Sequence, residues 1–350
     1  MNQRTDDEIE ALLDAPGANG RSVLRAVDVH SHFLPEPYRK ALAAAGITKP
    51  DGYQAGVPVW SAEDHLEHME RLGIDTAIVS ISTPGVAFGG PTDPRRIAAE
   101  ANEAGAALVQ AHPGRFGFFA ALPLPDVDAS LAEIERAVSL GAWGVSLLTH
   151  ADGVYLGDER WEPVFAELAR HRLPVLIHPT APAAVVPGVM EGWSKSMYEF
   201  FFDTTRAVTN LVFSGMLARH PGIRVIIPHA GAALPALAQR IERNVWRANS
   251  ADADSSRPGI PSLVESLRSC YFDLAGSVLP FQVPSLLELV DDDHIVYGSD
   301  FPYTGASTGG ELNADLRSTR QLTDRQKLAV MRDNATALFP QLTAIKGARA

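Results

Sequence analysis

Eight short segments of this chain are almost continuously apolar, and that rhythm restricts the fold more than any other feature. They are 25–30 (RAVDVH), 76–82 (TAIVSIS), 116–122, 144–148, 174–178 (PVLIH), 224–229 (RVIIPH), 271–275 and 294–299 (HIVYGS). A strand with one wet face alternates apolar and polar residues, whereas runs like these suit strands buried on both faces of a parallel sheet. Helical patterns separate them at 62–72, 94–110, 130–140, 162–171, 234–246 and 283–289. In the first, Leu66, Met69 and Leu72 recur about one turn apart and form a single apolar stripe. Gly73 and Gly141 stand where a helix C-terminus favours glycine. Eight strands alternating with helices over 350 residues are predicted to close into an α/β fold of the (β/α)8 barrel type, spanning 25–340. A doubly wound open sheet is the alternative. Residues 1–24 read as an N-terminal extension and 341–350 as a tail.

Two segments break the repeat. Residues 33–60, after the first strand, are rich in Pro and Gly; residues 180–217, after the fifth, carry Met, Trp, Tyr and four Phe. Long loops that follow barrel strands lie on the catalytic face, so both are expected to wall one pocket. The formal charge, 30 − 42 = −12, argues against nucleic acid as a partner but leaves room for a small anionic substrate. No stretch reaches the roughly 20 apolar residues that span a bilayer, and the first residues lack the order of a signal peptide, so no membrane association is expected. Cys270 is the one cysteine and cannot pair within the chain, which suits a cytoplasmic location.

The chemistry-bearing residues gather at strand ends. His30 and His32 form an H-x-H pair closing the first strand, and residues two apart on a strand point the same way. His178 ends the fifth strand, His229 ends the sixth, and Asp300 follows the eighth. The C-terminal ends of barrel strands converge on one pocket, so these five are predicted to meet. His65 and His68 are read as part of a solvated helix face. His112, His171 and His220 lie near helix ends, where the dipole accounts for them. His294 begins the eighth strand, at the opposite end from the site, and His150 follows the fourth on the same rim as the site.

Residues 28–35 (DVHSHFLP), 176–180 (LIHPT), 227–231 (IPHAG), 297–302 (YGSDFP) and 334–339 (NATALF) together resemble the amidohydrolase superfamily. Within it they are similar to the branch of aminocarboxymuconate semialdehyde decarboxylase and its metal-dependent relatives. Residues 60–63 (WSAE), 80–86 (SISTPGV) and the aromatic run before Asp203-Thr204-Thr205-Arg206 most resemble the 6-methylsalicylate decarboxylase group. The resemblance implies a TIM-like barrel of the metal-dependent amidohydrolase type. It implies one divalent ion, zinc or alternatively manganese, held by His30, His32, His178 and Asp300, with His229 as a nearby acid–base group. It also implies a homodimer or larger homo-oligomer. Residues 147–150 (LLTH) stand where binuclear members place a carboxylated bridging lysine, which favours one ion over two.

Such an ion can chelate a carboxylate beside a phenolic oxygen. The resemblance implies non-oxidative decarboxylation of a small carboxylated ring such as a 2-hydroxybenzoate, with Asp300 protonating the ring carbon and His229 holding or tuning the reacting groups. The same atoms admit a rival: hydrolysis or hydration of an ester, lactone or amide, with Asp300 as base and His229 at the oxyanion. Trp60, Trp193, Phe200 and Phe202 are candidates for packing a ring, with core packing as the alternative. His150 is a candidate pocket residue. Arg243 and Arg247 are candidates for a substrate carboxylate, with a solvated helix face as the alternative.

Overall fold

The computed structural model describes residues 25–89, 92–251 and 259–343. The expected extension at 1–24 and residues 344–350 of the tail lie outside them. Eight strands, β1 (Ala26–His32), β2 (Ile74–Ser80), β3 (Phe116–Ala121), β4 (Gly144–Leu148), β5 (Pro174–His178), β6 (Arg224–Ile227), β7 (Tyr271–Asp273) and β8 (Ile295–Val296), lie in chain order in one sheet. Every neighbouring pair is parallel. The seam between β8 and β1 is bridged by backbone bonds. Val29 N–H donates to Tyr297 O at 2.9 Å, Asp300 N–H to His30 O at 2.8 Å, and His32 N–H to Phe301 O at 2.7 Å. The sheet thus curls into a barrel rather than an open doubly wound sheet.

Helices α1 (Glu36–Ala44), α2 (Ala62–Leu72), α3 (Pro94–Ala111), α4 (Val127–Ser139), α5 (Glu162–His171), α6 (Glu199–Phe213), α7 (Leu234–Ala251) and α8 (Ala306–Ser318) are the longest. Local chemistry sets several boundaries. Ser61, Asp93 and Asp126 accept the free N–H groups at the starts of α2, α3 and α4, and Gly73 ends α2 in the left-handed conformation at φ 71°. A separate inner core of Val27, Val29, Ile78, Phe119, Leu176 and Ile226 is closed by Ala335, Leu338 and Phe339. That C-terminal segment sits at the strands' N-terminal ends, where Arg224 donates to Leu338 O and Asn334 to Ile295 O. The bottom is plugged, and the opposite rim is left for the site.

Two expectations need correction. The segments 33–60 and 180–217 are not simply loops, since they contain α1 and α6. Consecutive Phe200, Phe201 and Phe202 hide the helical period of α6, whose buried face is Phe200, Thr204, Ala207, Val208 and Leu211. Asp203 anchors that helix to the β4 side by accepting from Thr149 and Tyr155, and it pairs with Arg206 within the helix. Second, His65 and His68 are buried, not solvated. The β8–α8 connection covers that face of α2, so His68 stacks on Phe301 at 4.1 Å while Trp60 donates to His65 Nδ1 at 3.1 Å.

Candidate metal centre

The rim at the strand C-termini brings the sequence-predicted residues together. His30 and His32 leave β1 with ring centroids 5.1 Å apart, and His178 at the end of β5 lies 4.8 Å from His32 and 5.4 Å from His30. Potential donor atoms of these three rings all lie within 4.8 Å of one another. Asp300 Oδ1 is 3.2 Å from His32 Nε2 and 3.8 Å from His30 Nε2. The ring of His229, in the turn after β6, is 5.3 Å from that of His30 and stacks on Phe201 at 5.6 Å. His229, Ala230, Ala232 and Asp300 all have φ between 52° and 56°, a region that residues with a Cβ seldom adopt. Gly298 is required nearby, because a Cβ there would stand 2.7 Å from His30 Cβ.

Each ring is oriented through its far nitrogen. His30 Nδ1 lies 2.8 Å from Asp273 Oδ2, His32 Nδ1 3.1 Å from Ser80 Oγ, and His178 Nδ1 2.7 Å from Pro179 O. A carboxylate and a carbonyl only accept, so they place protons on Nδ1 and turn Nε2 of His30 and His178 inward. The Nε2 atoms of His30 and His32 are buried without a hydrogen-bond partner. Buried nitrogens left unpaired are costly, and a cation shared by these rings would satisfy them. This donor set of imidazoles with one carboxylate fits a borderline divalent ion.

Electrostatics point the same way. Burial acts to lower the His30 pKa, but Asp273 and Asp300 override it and raise the value to about 9, so positive charge is favoured at this spot. Burial lowers His32 and His178. His229 is lowered by burial and then by the charge of His30, which keeps its imidazole neutral at neutral pH. Asp300 is held below the usual carboxylate range: burial opposes this, but the close approach of His32 Nε2 and the charge of His30 prevail. Asp28 is pushed up to about 7 by burial, although Ser299 and the His30 amide donate to it.

A cavity of about 460 Å³ opens on the centre, with His178, His229 and Asp300 at its base. Both long segments reach its wall, Pro50 and Tyr53 from one and Met197, Phe200 and Phe201 from the other. Of the candidate substrate residues only Phe200 lines it. Phe202 is rotated outward on α6 and lies 47% exposed, Trp193 is exposed, and Trp60 packs against Phe33 and His65 away from the cavity. Arg243 and Arg247 lie on the exposed face of α7, the alternative weighed for them. His150 lines a neighbouring cavity instead, its Nε2 bound to Ala181 O at 2.8 Å. Asp273 and Phe201 are additions that sequence reasoning missed. Phe201 lay in the noted aromatic run, and Asp273 stands at the end of the seventh strand, the same placement that singled out His178.

A family model described as Amidohydrolase matches residues 27–341. The 6-methylsalicylic acid decarboxylase of Aspergillus aculeatus is 34% identical over 337 residues, covering 90% of this chain and 96% of that protein. A crystal structure of an amidohydrolase II superposes with a TM-score of 0.84 at 34% identity, over 91% of this chain and 99% of that one. The 5-carboxyvanillate decarboxylase of Novosphingobium aromaticivorans, crystallised with manganese, shares the fold at 20% identity, with a TM-score of 0.79 over 90% of this chain and 96% of that one.

Proposed function

Because this chain belongs to the amidohydrolase family, we propose that it is a metal-dependent carboxy-lyase that removes carbon dioxide, without oxidation, from a 2-hydroxybenzoate such as 6-methylsalicylate. The observation that carries the reading is the inward-facing, unpartnered Nε2 atoms of His30 and His32 beside His178 and Asp300, at the base of a ring-sized cavity. His30, His32, His178 and Asp300 would hold one divalent ion, zinc or manganese. When bound, such an ion supplies Lewis acidity that gathers the substrate's carboxylate and ortho oxygen.

The chain's own residues then move the proton. His32 and His30 keep Asp300 ionised at rest, so it enters as a base and takes the phenolic proton of the substrate. The incoming carboxylate adds a negative charge beside Asp300 and makes its protonated form easier to reach. Asp300 passes this proton to the ring carbon bearing the carboxylate, the carbon–carbon bond breaks, and its electron pair returns to the ring as carbon dioxide leaves. The phenolate product regains a proton from water. Neutral His229 donates a hydrogen bond to a substrate oxygen, and Phe200 and Phe201 pack on the ring and exclude water.

A single barrel domain over 25–340 fits the extent of the family match. No described helix is long and apolar enough to cross a membrane. A homo-oligomer, dimer or larger, fits the exposure of Trp246 and Phe281, and a cytoplasmic location fits the free, buried Cys270. The test is a panel of 2-hydroxybenzoates, aryl esters and lactones given to the metal-loaded chain. Carbon dioxide from the hydroxybenzoates supports the reading. Ester or lactone hydrolysis without carbon dioxide release would assign the centre to the rival chemistry.

A further inference from the structure

Two cavities of nearly equal size stand back to back on the catalytic face. The first, of about 460 Å³, holds the candidate centre; the second, of about 470 Å³, has Val86, Phe88, Leu122, Leu148, Leu156 and Trp161 among its lining residues. Thr83 lines the first, while Asp51 and Thr180 line the second. These three side chains are joined by hydrogen bonds. Asp51 Oδ2 accepts from Thr83 Oγ1, from Thr180 Oγ1 at 3.0 Å and from Ala181 N–H at 2.8 Å, and the two hydroxyl oxygens lie 2.9 Å apart. Asp51 reaches them from a turn at Pro50–Gly52, where its φ of 47° and the 74° of Gly52 bend the chain back over the rim. The wall adjoins the centre: Ser82, one residue before Thr83, has its Oγ 3.4 Å from His178 Nε2.

The second cavity suits a neutral, apolar group. Its one histidine, His150, has both ring nitrogens engaged, by Ala181 O and by the Gly153 N–H. The carboxylates lining it, Asp51 and Asp152, disfavour an anion. We propose that the Asp51–Thr83–Thr180 wall sets the length of the ring substituent this centre accepts, and that the cavity behind it is a subsite for an alkyl chain once the wall is opened. The proposal rests on reading the first cavity as a hydroxybenzoate site. A substituent that outgrows the first cavity on this side meets Thr83 and, behind it, the Asp51 and Thr180 groups bonded to it, whose separation leaves them unpaired, whereas a methyl group disturbs none of them.

The experiment compares 6-methylsalicylate with 6-pentylsalicylate on metal-loaded protein, reading Kd by calorimetry and kcat/KM by carbon dioxide release. Asp51→Ala and Thr180→Ala should each raise the preference for the pentyl compound at least tenfold, given a gain of about fourfold per methylene buried. Asp51→Asn retains an oxygen that accepts from both threonines and should keep the wild-type preference. An unchanged preference in the alanine variants overturns the proposal, and so does a wild type that already favours the pentyl compound to the same degree. If Asp51→Ala does not fold, Thr180→Ala alone decides. A wild type that binds 6-methylsalicylate but releases no carbon dioxide refutes the decarboxylase reading, while the Kd comparison still tests the wall. A wild type that binds neither compound overturns both.

Discussion

Replacing Asp273 by Asn tests how the candidate centre is held together. The carboxylate lies wholly buried between β6, β7 and β1. Its Oδ1 accepts from His229 N–H at 2.9 Å and from Ala275 N–H at 3.0 Å, and its Oδ2 faces His30 Nδ1 at 2.8 Å. An asparagine can keep its oxygen on the two backbone amides, which turns its NH2 toward His30. The ring must then accept at Nδ1 and carry its proton on Nε2, the nitrogen that should face the ion. Partners of this kind are worth about 10- to 100-fold in metal affinity, and the wrong tautomer puts this variant at the upper end, near 100-fold. Keeping the two backbone bonds limits the stability cost to about 1–3 kcal/mol. The assay titrates metal-free protein with zinc or manganese against a competing chelating dye, alongside a urea unfolding curve. Affinity within about threefold of wild type in a folded Asp273→Asn protein would refute the orientation argument.

Three other outcomes follow from buried groups. His65 and His68 are lowered by burial to about 3 and about 4, so the unfolded chain binds protons that the folded one refuses. Their contribution is complete above the unfolded value of 6.5 and is lost as pH falls from there toward 4, at up to about 1.4 kcal/mol per pH unit for each; urea curves at pH 7.5 and 5 should be closer together in a His65→Gln/His68→Gln protein. Burial pushes the Cys270 thiol up to about 12, so an aromatic disulfide reagent at pH 8 should label it only after denaturation, and fast labelling of native protein would contradict its placement. Gly144→Ala would drive a Cβ into Pro174 O between β4 and β5, and calorimetry should show a loss of about 1–3 kcal/mol or more.

The barrel was legible because strands buried on both faces leave continuous apolar runs, and the candidate centre because its residues end those runs. His30, His32, His178, His229 and Asp300 needed only the rule that barrel strands deliver their C-terminal residues to one rim. What sequence could not supply depends on contacts between distant segments. The burial of His65 and His68 follows from Phe301 and the connection to α8, more than 230 positions away. Phe201 rather than Phe202 faces the cavity because of the phase at which α6 begins, which three consecutive phenylalanines do not reveal. Asp273 reads as one more strand-end carboxylate until β1 brings His30 against it. Asp51 acquires its three donors only through a backbone turn with positive φ, which its residue type does not announce.

The most direct measurement follows 6-methylsalicylate through one turnover in heavy water, in wild type and in Asp300→Asn. Wild type should release carbon dioxide and leave 3-methylphenol with deuterium at the carbon that lost the carboxylate. Asp300→Asn keeps one oxygen toward the ion but cannot cycle a proton, so it should still bind metal and substrate while losing carbon dioxide release by about 100-fold or more. A variant that turns over at the wild-type rate, or a wild type that places no deuterium at that carbon, would contradict the account of Asp300 as the group that protonates the ring.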